Sequence, residues 1–342
     1  MGIDGILLMN VGTPDEPTVK SVKTYLREFL LDPDVIDIPA PLRHLLVRGI
    51  ILRTRPKKIA PRYKSIWMEG GSPLRVYTQR ICDKLQIKME DTFCEVGMRY
   101  GNPSIKSALE RLRERGVTRL LLAPLFPHYA QATTESSIKH AFKQLNEMNW
   151  TPDIHELGHF ESADEFIMPL AESIRPHLSD DAHLLFSYHG LPISHVKRID
   201  ESKQHCQKVE NCCEVNCDAN ILCYGRHCSE TTSAVVEKLG LESHQWSMSY
   251  QSRLGPVKWL EPATTAKVEE LVKRGIRKIV VVAPAFLADG LETLEELDIE
   301  LREDFLEMGG KELTVVKCLN DDDLWIDGLE SLVKKRLGTL VV

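Results

Sequence analysis

Apolar residues along the chain fall into two kinds of pattern. The stretches 5–9, 93–98, 119–123, 183–187 and 279–283 are nearly continuous in Leu, Ile, Val and other apolar residues. That is how strands of a parallel sheet read when both faces are covered. Between them, 104–115, 135–147 and 262–274 carry the three-and-four spacing of helices that bury one side. Strands alternating with helices predict an α/β fold. The last segment, DDDLWIDGLESLVKKRL, opens on aspartates and closes on Lys334, Lys335 and Arg336, the polarity that a helix dipole favours.

The pattern also repeats. Ile6-Leu7-Leu8-Met9 breaks at Asn10-Val11-Gly12-Thr13-Pro14, and Leu184-Leu185-Phe186 breaks at Ser187-Tyr188-His189-Gly190-Leu191-Pro192. EVGMRYGNP (95–103) pairs with SYQSRLGP (249–256), and TRLLLAPLF after Arg115-Gly116 pairs with RKIVVVAPAF after Arg274-Gly275. Pairs in the same order predict two similar Rossmann-like halves, each a parallel sheet flanked by helices, with the active cleft between them. The first half is expected over 1–125 and the second over 126–319. A helix in 320–342 is free to pack back on the first half, and 203–228, which has neither period, reads as an insertion in the second.

Length and composition agree with this: 342 residues fit two domains, and 43% hydrophobic with 27% charged is ordinary for a globular protein with a sizeable core. No run reaches the roughly 18–20 apolar residues of a membrane span. Met1 leaves no room for a leader before the first strand, so the expected location is the cytoplasm. A net charge of −7 argues against a nucleic-acid partner. The charge is uneven, however. No acid stands between Asp37 and Glu69, where Arg43, Arg48, Arg53, Arg55, Lys57, Lys58, Arg62 and Lys64 interleave with Leu42, Leu45, Leu46, Ile50, Ile51 and Leu52. This reads equally as a peripheral contact with the anionic inner face of a membrane and as a solvated basic face.

Candidate chemistry lies at strand ends. His189 takes the place of Val11 in the repeat, at the carboxyl end of a strand, where open α/β sheets deliver functional groups. A neutral imidazole there can accept a proton or bind a metal. After 279–283 comes PAFLADGL and then Glu292, Glu296 and Glu300, whose spacing of four puts them in one row on a helix, with Glu295 beside them. Such a row repels itself unless cations occupy it, and reads either as a path for a divalent cation or as an acidic solvated face. Of nine cysteines, Cys206, Cys212, Cys213, Cys217, Cys223 and Cys228 crowd into 206–228. In a reducing compartment such a group points to thiolate ligation of a metal or cluster rather than to disulfides.

The strings LLMNVGTP, FSYHGLP, YQSRLGP and ADGLETLEELDIE resemble the ferrochelatases, and the resemblance runs from about residue 5 to residue 325. It implies an enzyme, a lyase, that inserts Fe²⁺ into protoporphyrin IX with release of two protons at the end of haem synthesis. It also implies that His189 is the active-site histidine and that Glu292 faces it across the macrocycle, each suited to bind iron or to take protons. Glu296 and Glu300 then line the iron path. Val11 and Trp259 are expected against the macrocycle, Arg99 and Tyr129 as polar pocket residues, and Tyr63, Ser65 and Ile66 in a lip over the porphyrin edge formed by 41–67. Two departures matter. Gly290 stands where some members have histidine, and the cysteine-rich insertion is absent from many. The run H-C-x5-C-C-x9-C-Y-x3-C resembles the internal type that carries a [2Fe–2S] cluster, with Cys206, Cys213, Cys223 and Cys228 the expected ligands and Cys212 the substitute. Zinc is the alternative metal. A coproporphyrin III ferrochelatase is the nearest alternative activity, and Asn10, where that type tends to have tyrosine, favours protoporphyrin. A non-enzymatic haem or metal carrier on the same scaffold would have no use for the row of glutamates.

Overall fold

The computed structural model describes residues 2–215, 217–253, 255 and 257–338. Its main elements in chain order are β1 (Asp4–Thr13), α1 (Val19–Leu30), α2 (Ala40–Leu46), α3 (Leu52–Ile66), α4 (Pro73–Lys88), β2 (Thr92–Gly101), α5 (Ile105–Glu114), β3 (Arg119–Pro124), α6 (Ser136–Glu147), β4 (Asp153–Glu156), α7 (Asp164–Ile174), β5 (His183–His189), α8 (Ile193–Ile199), α9 (Tyr224–Leu239), β6 (Trp246–Gln251), α10 (Thr264–Lys273), β7 (Lys278–Val282), α11 (Leu291–Leu294), α12 (Arg302–Glu307), β8 (Glu312–Val315) and α13 (Asp323–Arg336). They fall into two compact units.

One unit comprises the chain up to Phe126, Gln131–Gly158 and the segment from Asn320 on. Its four strands are all parallel in the order β2-β1-β3-β4. Ile6, Leu7, Leu8 and Met9 of β1 are fully buried, the outcome of a central strand covered on both faces. Leu7 and Met9 pack with Ile105, Leu109 and Leu112 of α5 and with Ala141 and Leu145 of α6. Gly12 closes β1 at a φ of +100°, and a Cβ there would lie 1.8 Å from the Tyr100 carbonyl oxygen, so no other residue fits. Residues 131–158, read from the sequence as the start of the second half, belong here because β4 pairs with β3 from Arg119↔Asp153 to Leu122↔Glu156. β4 escapes the apolar pattern because it is a four-residue edge strand with Asp153 and Glu156 exposed. The C-terminal helix α13 buries Trp325, Ile326, Leu329 and Val333, and Asp323 and Asp327 meet Lys84 and Lys88 of α4 at 2.8 and 2.6 Å.

The basic stretch is a helical run, α2 and α3 joined by a π-helical turn over Val47–Ile51. Leu42, Leu45 and Ile50 are 56%, 68% and 60% exposed, next to exposed Arg48, Arg53, Lys57 and Lys58. Arg43 departs from the expected basic face: it is buried, donating from Nη1 to the Ile36 and Ile38 carbonyls at 3.2 and 3.0 Å. No helix among the described residues is long and apolar enough to cross a membrane.

The other unit comprises Pro127–Ala130 and His159–Leu319. Its sheet repeats the arrangement as β6-β5-β7-β8, again all parallel, so β5, β6 and β7 occupy the places of β1, β2 and β3. Leu185, Ile279 and Val281 pack with Val268 and Leu271 of α10 and with Leu297, Leu301 and Phe305. β8, like β4, is a short edge strand without an apolar run. Each of the paired sequence repeats therefore marks the same strand in the two sheets.

Candidate active site and cysteine cluster

β5 ends on His189, registered against Gln251 at the end of β6. His189 is half-buried, its ring edge-on to Phe286 at 6.0 Å between centroids, and its Nδ1 has no hydrogen-bond partner. Burial pushes the imidazole down to about 4, because the charged form loses its water. At neutral pH it is an uncharged base with a free nitrogen. Gly190 lets the chain turn directly against β6: its N–H donates to the Gln251 carbonyl at 2.8 Å, and a Cβ would sit 2.6 Å from that oxygen. Trp259 lies against the same glycine, with Cε3 3.4 Å from that Cβ position, and the indole Nε1 is likewise buried without a partner.

Gln251 also reaches the acidic segment. Its Nε2 donates to the Glu292 carbonyl at 2.9 Å while its Oε1 accepts from Ser187 at 2.7 Å, so one buried amide ties the end of β5 to the start of α11. Burial, with the charge of Glu296 added and its own backbone N–H only partly compensating, raises the Glu292 carboxyl to about 7. The side chain at 290 is absent, and a Cβ there would stand 3.4 Å from Glu292 Oε2.

The three glutamates do not share one regular helix face. α11 is a single turn, Glu295 departs at φ −103°, and Glu296–Leu301 is π-helical, with Glu300 N–H donating to Glu295 O at 2.9 Å. The break lets Leu297 and Leu301 reach the core while Glu296 swings to Ser252, accepting from its N–H at 2.8 Å and its hydroxyl at 2.6 Å. Leu254 and Pro256 of the neighbouring RLGP turn lie outside the described residues.

Other expected contacts are placed as follows. Val11 is half-buried at the end of β1, beside Asn10, whose Nδ2 donates to Thr78 at 3.1 Å. Arg99 is committed within its own unit, to the Asp32 carboxylate and to Ser136 Oγ at 2.8 Å. Tyr63 is buried against Trp67, whereas Ser65 is exposed, donating to the Arg62 carbonyl at 2.8 Å, and Ile66 is half-buried. Tyr129 is half-buried, its N–H held by His227 Nδ1 at 3.1 Å.

The cysteine-rich insertion has polar order of its own. Asp200 accepts from the N–H groups of His205 and Cys206 at 2.9 and 2.8 Å, and buried Asn220 donates to the carbonyls of Cys212 and Val215 at 3.0 and 2.7 Å. Within this frame Cys213 bonds the thiols of Cys223 and Cys212, and Cys206 lies in their field. The bond from Cys213, helped by the N–H groups of Arg226 and Gly225 at the start of α9, holds the Cys223 thiol down. Burial and the charges of Cys223 and Cys212 push Cys206 up to about 11. Gly225 leaves the room between them: a Cβ would meet Cys213 Sγ at 3.0 Å and Cys223 Sγ at 3.9 Å. Cys228, expected among the ligands, is fully buried against Tyr224 and near Tyr188 and Tyr250. Cys212 therefore joins Cys206, Cys213 and Cys223 more closely than Cys228 does.

A sequence model of the ferrochelatase family matches residues 3–337. The chain belongs to this family. The ferrochelatase of Pseudomonas fluorescens (strain Pf0-1) is 43% identical over 333 residues, covering 96% of this chain and 97% of its own. That of Azotobacter vinelandii is 41% identical over 331 residues, covering 96% and 98%. Among solved structures, SirB from Bacillus subtilis with Fe³⁺ superposes with a TM-score of 0.54 at 11% identity, covering 98% of this chain and 96% of that one. At that identity the likeness speaks for the fold, a chelatase-type arrangement of two parallel sheets flanked by helices.

Within this ferrochelatase framework, Gln251 is a residue that strand-end reasoning passed over, although it stands at the carboxyl end of β6 in the quoted YQSRLGP. His159, Glu161 and His227 also draw together, their ligand atoms within 4.8 Å of one another. They are better read as a packed polar group in which Glu161 bonds His159 Nδ1 at 2.7 Å and the His227 ring stacks on His159. His227 Nδ1 accepts the Tyr129 amide, so Nε2 carries the proton and donates to the Ile221 carbonyl at 2.7 Å. The two imidazoles stack at 4.6 Å and 24°, and a ligating histidine normally donates from its other nitrogen, whereas His227 Nδ1 here accepts. Burial pushes the Glu161 carboxyl up, but the bond to His159 and the nearby His227 outweigh it and hold it below its ordinary value.

Proposed function

We propose that His189 and Glu292 are the catalytic pair with which this member of the ferrochelatase family inserts Fe²⁺ into protoporphyrin IX. As a ferrochelatase the protein is an enzyme, a lyase of haem biosynthesis that acts on a porphyrin and ferrous iron. The observation that carries the proposal is the opposed tuning of two groups joined through Gln251. His189 is uncharged with an unpartnered Nδ1, and Glu292 is poised near neutrality. Metallation must remove two pyrrole protons while Fe²⁺ sheds water. A neutral imidazole serves as proton acceptor, and an ionised carboxylate attracts the cation; Fe²⁺ accepts either ligand type. Glu296 and Glu300, further along the segment, are proposed to line the approach of iron to Glu292. Val11, Trp259, Tyr129, Arg99, Tyr63, Ser65 and Ile66 are proposed as the porphyrin surroundings, Arg99 through its hold on Asp32 rather than as a free cation. Asn10 supports protoporphyrin over coproporphyrin III.

The thiols of Cys206, Cys212, Cys213 and Cys223 fit a [2Fe–2S] cluster in donor number and softness, and Gly225 supplies the space. When bound, the cluster cross-links these thiolates and adds folding free energy to the insertion. Protein purified without oxygen is expected to be coloured, with the reduced-state paramagnetism of such a cluster. Cys213→Ser or Cys223→Ser should bleach it, whereas Cys228→Ser should keep the colour. Stoichiometric zinc without sulfide would overturn the cluster and leave the chelatase reading standing.

Peripheral attachment to the cytoplasmic membrane face is proposed for the run from α2 to α3, on the strength of exposed Leu42, Leu45 and Ile50 among Arg48, Arg53, Lys57 and Lys58. Vesicles containing phosphatidylserine should bind the protein in sedimentation assays, and salt should weaken the binding by screening. Equal binding to neutral vesicles would contradict the electrostatic part.

A further inference from the structure

Tyr224 stands where the cysteine insertion meets the active strand. It follows Cys223, opens α9, and is 6% exposed. Its hydroxyl donates to the carbonyl oxygen of His189 at 2.9 Å, and the Cys228 thiol one turn along α9 lies within hydrogen-bonding reach of that Tyr224 hydroxyl. The opposite side of the His189–Gly190 peptide is held by Gln251, which accepts the Gly190 N–H at 2.8 Å. The peptide that aims the imidazole is thus clamped from two sides, by β6 and by the first residue of α9. The β6 side is fixed by the sheet ladder. The α9 side depends on what fixes the helix start, and its N-cap is Cys223.

We propose that Tyr224 is a positioning residue through which the state of the cysteine cluster sets the orientation of His189. This rests on the reading that Cys206, Cys212, Cys213 and Cys223 hold a cluster. With Cys223 fixed as a ligand, the first turn of α9 is anchored and the Tyr224 hydroxyl is held on the His189 carbonyl. With the thiols free, that turn loosens, the carbonyl loses a partner and the imidazole loses its fixed direction. Small displacements of this kind suffice to slow a reaction that needs a near-attack arrangement.

The test compares Tyr224→Phe with wild type, both purified without oxygen as full chains, each before and after oxidative removal of the cluster. In Tyr224→Phe the visible absorption and the paramagnetic spectrum should be those of wild type. kcat should fall about three- to tenfold, the scale of one lost hydrogen bond, with the KM for porphyrin unchanged. Amide exchange over residues 187–191 should rise in Tyr224→Phe and in cluster-depleted wild type alike. Depletion should lower kcat in wild type but little further in Tyr224→Phe. A coloured Tyr224→Phe with wild-type kcat and exchange would overturn the inference, as would an equal loss on depletion in both proteins. A colourless wild type would overturn the cluster and the coupling together, and is told apart from those outcomes by its spectrum before any turnover is measured.

Discussion

Replacing His189 by alanine is expected to lower iron insertion by roughly 100- to 10,000-fold, the range general bases contribute, while porphyrin still binds. The imidazole sits at the last position of β5 with Nδ1 unpartnered, and burial holds it near 4, so it is an uncharged acceptor throughout the physiological range. Nothing else described at that strand end is a base with a free nitrogen: Gln251 is committed to Ser187 and to the Glu292 carbonyl. Binding should survive because flat apolar macrocycles are held mainly by contact area. Titrating porphyrin fluorescence into the variant separates the two effects, and retention of more than a few percent of turnover would contradict the catalytic assignment.

Replacing Glu292 by glutamine should act on turnover and on stability in opposite directions. Wild-type turnover should rise as pH climbs through about 7, as the carboxyl ionises, and that rise should vanish in Glu292→Gln together with most of the activity. The folded-state value lies above the ordinary 4.5, so the folded protein holds this proton longer than the unfolded chain does. The resulting penalty is absent below pH 4.5, grows up to about 7 and is constant above. Burying the charge there costs on the order of 2 kcal/mol, less than the full shift because a half-buried carboxylate keeps some water. Glu292→Gln should therefore melt several degrees higher at pH 8 and no higher near pH 4.5, a trade of stability for function. Glu296→Gln should instead weaken the hold on Ser252 and mainly raise the KM for iron. A variant that melts alike at both pH values, or a Glu296→Gln as inactive as Glu292→Gln, would contradict this division.

Much of this was legible because the pattern is doubled. Buried central strands carry long apolar runs, so β1, β3, β5 and β7 announce themselves, and the matched breaks at the ends of β1 and β5 mark His189. The short edge strands β4 and β8 carry no such signal, since Asp153, Glu156 and Glu312 face water. That is why the sequence pattern puts 131–158 in the second half, whereas the pairing of β4 with β3 holds them in the first. Spacing also could not show that Glu295 interrupts the helix, because a π-helical turn is chosen by what Leu297 and Leu301 must reach rather than by local preference. Nor could it separate Cys212 from Cys228: both lie in the run, and only the three-dimensional course of the insertion turns one thiol toward Cys213 and the other toward Tyr224. Arg43 is a similar case, a charge in a basic run that burial against two carbonyls removes from the surface.

The most direct measurement is anaerobic mixing of the purified protein with Fe²⁺ and either protoporphyrin IX or coproporphyrin III, followed by the loss of free-porphyrin fluorescence. Protoporphyrin should be consumed by wild type, faster than coproporphyrin, and left untouched by His189→Ala at equal porphyrin occupancy. Failure of wild type to metallate either porphyrin, or equal consumption by wild type and His189→Ala, would contradict the account.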